Sequence, residues 1–326
     1  MHKTMKWIGA AAALALCAPA GAQTQTLSLL TGWGPNNPTA FMPADRFKAN
    51  VEKSSGGKIA FKISGPEAVP PFEQMQPLTS GAFDLLYTHP AYHSKGFATA
   101  AEILAARPDK LRSSGVWAAI DRFYQKNYNL KLLSLVALGT EGYHCYFSKP
   151  LTPQGDWNGR KIRGVATQFG VIKALGGVSV TLPMGDVYTA MEKGVVDGAC
   201  APASVFLGTK HYEVAKYRVE PRFGMLVSMI GMNLDRWGKL PKAQQGAFEK
   251  GGAQTEQDTV RLGDEILKRD NQKLAGMGVQ AVRLPKAKGE LIRAEFTSSN
   301  WEFLQKCCGD ATAEVRELAR KAGMAK

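Results

Sequence analysis

The sequence predicts an α/β chain folded as two lobes, and three observations lead there. Short strand signals alternate with helical segments from the start of the mature region onward. The same grain returns in a second unit after residue 140 or so. No repeat, low-complexity tract or independent linker separates the units, so the chain passes between them more than once. About 300 residues remain after a leader, enough for two domains of roughly 100–200 residues each. A hydrophobic share of 44% is enough to fill two cores.

The elements follow in order. "TLSLLTGW" reads as a buried strand that ends at Gly32, and "GPNNPT" as a turn-rich loop. "AFMPADRFKANVEKSSGG" has apolar residues at helical spacing and stops at a glycine pair. "KIAFKISG" alternates as a strand. "FEQMQPLTSGAFDLLYTHP" reads as a helix, a glycine turn and the strand "FDLLYT". "GVWAAIDRFYQKNYNLKLLSLVAL" predicts a helix of about 13 residues feeding an apolar strand. The second unit continues with strands at "YHCYFSKPL", around Lys161–Val165, at "VSVTLP" and at "VVDGACA". Helices at "TQFGVIKALGG" and "GDVYTAMEKG" lie between them. "MLVSMIGMNLDRW" reads as a long strand able to run between both units. A long polar-faced helix from "KAQQGAF" to "LAGMG" follows, with Gly251-Gly252 as an expected bend. "VQAVRLP" is a late strand, and helices end the chain.

Residues 1–22 have the form of a cleavable export signal. His2, Lys3 and Lys6 precede a short apolar stretch, and Ala20-Gly21-Ala22 precedes Gln23. Leu16 before Cys17 is too large for a lipoprotein site. The stretch is short of the roughly 20 residues a spanning helix needs, and a water-soluble exported protein is expected. The formal charge of +13 falls to about +11 without the leader, which carries two of the counted positive charges and no acid. Such a balance admits nucleic acid, an acidic membrane surface or an anionic ligand. The basic residues form no long run and the protein is read as exported, so no nucleic-acid partner is expected. Cys145, Cys200, Cys307 and Cys308 allow three pairings, and the sequence leaves disulfides and buried thiols both open. Their spacing does not suggest zinc.

No nucleophile elbow, zinc-protease helix or phosphate loop is present, and His89, His93, His144 and His211 pair with no evident nucleophile. Neither an enzyme nor a cofactor is expected. One side chain stands out. Arg163 ends a short strand and leads into small and polar residues. A guanidinium fork matches both oxygens of a carboxylate, where lysine offers only a point charge.

The pattern around it resembles the DctP-type substrate-binding proteins of TRAP transporters. The family's strand, turn and helix block matches Gly159-Arg160-Lys161-Ile162-Arg163 and Leu175-Gly176-Gly177. It continues through Asp186-Val187-Tyr188-Thr189-Ala190-Met191 and Gly194-Val195-Val196-Asp197-Gly198. "MNLDRWGKLPKAQQGAF" downstream and "FKANVEKSSGGKIAFKIS" upstream are similar too, so the likeness spans nearly the whole mature chain.

The resemblance implies a two-lobed periplasmic-binding-protein-like fold, with hinge strands and a long spanning helix. It also implies a periplasmic receptor that closes on a small organic acid and delivers it to TRAP membrane permease subunits. The lobes are expected at 23–145 plus 232–280 and at 146–231 plus 281–326. A ligand-binding partner of a membrane sensor kinase, or a periplasmic enzyme on the same scaffold, are the alternatives.

By the same resemblance Arg163 binds the ligand carboxylate. Trp33 stacks on a flat ligand or packs a hinge, and His89 hydrogen-bonds a second oxygen or anchors the turn before Pro90. Tyr143 lies where some sialic-acid-binding relatives have another arginine, and it donates to a carboxylate or belongs to the core. Gln168 and Phe169 start the helix after Arg163, where a helix N-terminus favours anions, or Phe169 belongs to the core. Asp186 is expected to cap the following helix. Ala201 departs from the asparagine of many relatives and offers no hydrogen bond. A less polar pocket with one carboxylate clamp suits a compact monocarboxylate: a 2-oxo or 2-hydroxy acid, an aromatic acid or a cyclic amino-acid derivative.

Overall fold

Two sheets organise the chain in the computed structural model, which describes residues 24–140, 142–152 and 154–325. The expected export signal lies outside the described residues. The strands are β1 (Gln25–Thr31), β2 (Ile59–Ser64), β3 (Leu85–Thr88), β4 (Leu130–Ala137) and β5 (His144–Phe147). Then come β6 (Lys161–Arg163), β7 (Val178–Val180), β8 (Gly198–Ala201), β9 (Tyr217–Glu220), β10 (Val227–Asn233) and β11 (Gln280–Arg283). The first sheet has the order β2-β1-β3-β10-β4, and the second β11-β9-β5-β8-β6-β7. Parallel β1, β2 and β3 are joined through helices, as parallel pairing requires. β10 is buried along its whole length and inserts antiparallel between β3 and β4.

The chain crosses between sheets three times. The first two crossings, β4 to β5 and β9 to β10, lie side by side. Tyr143 and Phe223 exchange backbone hydrogen bonds of 2.8 and 3.0 Å there. The third runs through the helix Lys242–Gly276. The expected divisions at 145, 231 and 280 therefore cut through β5, β10 and β11, each of which belongs wholly to one sheet. Apolar alternation identifies a strand but not the sheet that takes it in. The long strand read across both units likewise lies in one sheet only. The C-terminal helical segment Lys286–Lys321, two helices meeting at a kink at Gly309, serves both lobes, not the second alone. Ile292 and Phe296 join the second lobe's core, while Trp301, Leu304 and Val315 join the first's.

Gly251-Gly252 does not bend the spanning helix, which is continuous for 35 residues. It marks a close approach instead. A Cβ on Gly251 would lie 2.6 Å from the Val51 side chain, and one on Gly252 would lie 2.3 Å from the Leu133 carbonyl. One turn on, Glu256 is buried and accepts from Arg112, from Trp117 Nε1 at 3.0 Å and from Leu135 N at 2.7 Å. That carboxylate pins the helix to β4, although burial pushes its pKa up. Cys145 and Cys200, opposite each other on β5 and β8, form a disulfide, and so do Cys307 and Cys308.

Candidate functional site

The carboxyl ends of strands from both sheets converge on one cavity, the place where open α/β sheets bind ligands. Trp33 follows β1, His89 follows β3, Arg163 ends β6 and Ala201 ends β8, and all four line it. Tyr143 enters from the first crossing, and Gln168 from the turn Ala166–Gln168. The cavity holds about 440 Å³ of empty space, counted out to the solvent at its mouth. Its remaining wall is mostly apolar, with Tyr87, Tyr92, Leu138, Val165, Met184 and Leu226 among the lining residues.

Arg163 is 2% exposed. Its Nε donates to Leu182 O at 2.9 Å and its Nη1 to Cys200 O at 3.4 Å. Nη2 is buried and has no hydrogen-bond partner. The two carbonyls fix the plane of the guanidinium and leave its second fork unfilled. Among the described residues no carboxylate makes an ion pair with Arg163. Its charge is felt nearby. The His211 pKa is lowered to about 4, first by burial and then by Arg163. A buried charge without a partner costs several kcal/mol, roughly, so the site favours an incoming anion.

Both nitrogens of His89 are used inside the protein. Nδ1 accepts from Ala91 N at 3.1 Å, which anchors the turn before Pro90, and Nε2 lies 2.7 Å from Glu102 Oε1. The Tyr143 hydroxyl, read as donating to a ligand carboxylate or as belonging to the core, donates to Glu102 Oε1 at 2.8 Å. Its pKa is pushed well up by burial and then by Glu102. Glu102 is fully buried, its Oε1 also accepts from Val227 N at 3.3 Å, and its Oε2 is buried without a partner. Trp33 sits 5.0 Å from the Tyr87 ring and 5.9 Å from the Tyr92 ring, and its carbonyl accepts from Thr31 Oγ1 at 2.6 Å. Its indole thus lines the cavity as part of an aromatic cluster.

Two expectations are corrected. Phe169 is half-buried and outside the cavity lining, although Gln168 immediately before it lines the cavity. Asp186 stands at the head of its helix but makes no capping hydrogen bond, since a tight turn, Met184–Asp186, already leads into that helix. Sequence reasoning missed Tyr87, Tyr92, Ser228 and Glu102. The one available signal was Glu102 itself, a single acid within the apolar run 97–106.

The model of the bacterial extracellular solute-binding proteins, family 7 (DctP), matches residues 31–306. The chain belongs to this family. Solved structures share its fold. A TRAP periplasmic solute-binding protein of Desulfovibrio salexigens with bound orotic acid has a TM-score of 0.79 at 19% identity, covering 91% of this chain and 98% of that one. A TRAP transporter solute-binding protein of Bordetella bronchiseptica, described with calcium and picolinate, has a TM-score of 0.80 at 21% identity, covering 92% of each. At those identities the likeness is one of fold. An uncharacterised Haemophilus influenzae protein is 30% identical over 128 residues, and the match spans 38% of the length of that relative.

Proposed function

We propose that this family 7 protein is a periplasmic solute receptor that closes on a compact monocarboxylate and delivers it to the membrane subunits of a TRAP permease. The observation that carries the reading is the buried, unpartnered Nη2 of Arg163 in a cavity between two lobes. A ligand carboxylate fills the second fork of the guanidinium with a charge-assisted hydrogen bond. Shutting the cleft around that pair removes water and strengthens it, so the closed form gains population when an acid is bound.

The mostly apolar wall favours a ring or a short chain over a sugar acid, whose several hydroxyls need more partners than this wall offers. Ala201 adds room and no hydrogen bond. Among the described residues no helix is long and apolar enough to cross a membrane. A leader at residues 1–22 supplies export on this reading.

The test is a thermal-shift screen of the purified protein against organic acids, amino acids, sugars and cations, with mass spectrometry of any copurified ligand. Small monocarboxylates raise Tm in a concentration-dependent way. A response confined to neutral or cationic compounds contradicts the reading.

A further inference from the structure

Two charges of opposite sign belong to the cavity, and only one of them is in its lining. Among the described residues Arg163 is the one permanently charged side chain of the lining. Glu102 is fully buried behind the wall made by His89 and Tyr143. Three donors converge on its Oε1: His89 Nε2 at 2.7 Å, Tyr143 Oη at 2.8 Å and Val227 N at 3.3 Å. That is the hydrogen-bond pattern of a carboxylate anion, which only accepts. His89 Nδ1 accepts from Ala91 N, so the ring carries its one proton on Nε2 and is neutral. Among the described residues no lysine or arginine pairs with Glu102, and its Oε2 has no partner.

The Tyr143 hydroxyl feels both charges. Burial raises its pKa most, Glu102 raises it further and Arg163 lowers it. A ligand atom resting on Tyr143 Oη stands within about 6 Å of Glu102 Oε1, the sum of two hydrogen-bond lengths. Trp33 Nε1 and Tyr92 Oη also line the cavity and have no hydrogen-bond partner among the described residues. They can donate to a carboxylate or to an amide oxygen alike, and neither carries a charge.

We infer that Glu102 limits the ligand to one carboxylate: its buried charge turns the acid so that the anionic end meets Arg163, and it repels a second anionic group from the far end of the cavity. The inference rests on the receptor reading and names the residue that enforces its monocarboxylate. Glu102 is a positioning residue, since it acts through Tyr143 and His89 and touches no ligand. Like charges about 6 Å apart near a protein surface cost roughly a hundredfold in affinity.

Titration calorimetry near neutral pH with two matched pairs tests it: succinamate against succinate, and 3-carbamoylbenzoate against benzene-1,3-dicarboxylate. Each amide keeps the shape of its diacid with one charge fewer, and its oxygen accepts from the same donors. In a pair that binds, the amide binds wild-type protein roughly tenfold to a hundredfold tighter, or the diacid gives no heat at millimolar concentration. Glu102→Gln raises the affinity for the diacid and brings the pair to within about threefold, a gain that a loosened fold does not produce. If Glu102→Gln does not fold, wild type titrated with a diacid in buffers of different ionisation enthalpy reads the same repulsion. Uptake of about one proton per diacid bound supports it, because a shared proton removes the clash, and binding without uptake overturns it. A diacid that binds wild type as tightly as its amide, or a ratio that Glu102→Gln leaves unchanged, overturns the inference. In that case acid binding abolished by Arg163→Ala leaves the receptor reading standing. No binding of any acid removes both.

Discussion

At the scale of the residue, one guanidinium carries the account. Arg163 is held by two backbone carbonyls and lacks a counter-charge among the described residues. Arg163→Ala is therefore predicted to weaken acid binding by about 3–5 kcal/mol, as loss of one partner from a buried pair does. Arg163→Lys keeps a charge but not the planar fork, and its loss is intermediate. Calorimetry of both variants with an acid that binds wild type checks the order, and an alanine variant of near-native affinity contradicts it. Arg163 was legible in the sequence because its neighbours on β6 match a family pattern. Tyr143 and His89 were read as hydrogen-bonding groups, and His89 anchors its turn as one alternative had it, but their shared partner was not legible. Their partner Glu102 lies 13 residues from one and 41 from the other. Nothing in sequence spacing tells a hydroxyl whether its proton points to a ligand or to a buried acid.

At the scale of the element, the spanning helix Lys242–Gly276 was expected with a bend at its glycine pair, and the glycines are a packing surface instead. Sequence presents Gly-Gly as a break because glycine weakens an isolated helix. It cannot show the strand pressed against that face. Gly252→Ala is predicted to destabilise the fold by roughly 1–3 kcal/mol, because the added methyl meets the Leu133 carbonyl. Gly246→Ala, on the same helix with open space around its Cβ, should stabilise by about 0.5–1 kcal/mol. Chemical denaturation of the two variants tests the contrast, and equal effects contradict the close packing. Strands such as β1, β2 and β4 were legible from their apolar runs. β9 and the short helices Ala100–Leu104, Pro108–Ser113, Ala203–Gly208 and Leu234–Lys239 were missed, since segments that short hold few periodic positions, whereas Met75–Thr79, Phe169–Ala174 and Val187–Glu192 were read from the glycines and turns that flank them.

At the scale of the whole molecule, the two-sheet α/β plan was legible from the alternation of elements, whereas the points of crossing were not. Strand pairing is decided by contacts between residues far apart in sequence, such as Tyr143 with Phe223. The lobes also share a vulnerability to acid. Burial, then the charge of Arg163, lowers the His211 pKa to about 4, and burial, then His89, lowers that of His93 to about 3. Unfolding returns each ring to about 6.5. Below that pH the unfolded chain binds protons that the folded chain refuses. Stability present above about pH 6.5 is therefore lost progressively as the pH falls towards 4 and below. Urea denaturation should give a lower midpoint at pH 4.5 than at pH 7.5, and a smaller drop for His211→Gln. A midpoint unchanged between the two pH values contradicts this.

The most direct measurement is a crystal structure of the protein loaded with the acid that the thermal-shift screen identifies. The account predicts a carboxylate oxygen about 2.7–2.9 Å from Arg163 Nη2, with the lobes shut around it. An acid bound elsewhere, or a guanidinium turned out to bulk water, would contradict it.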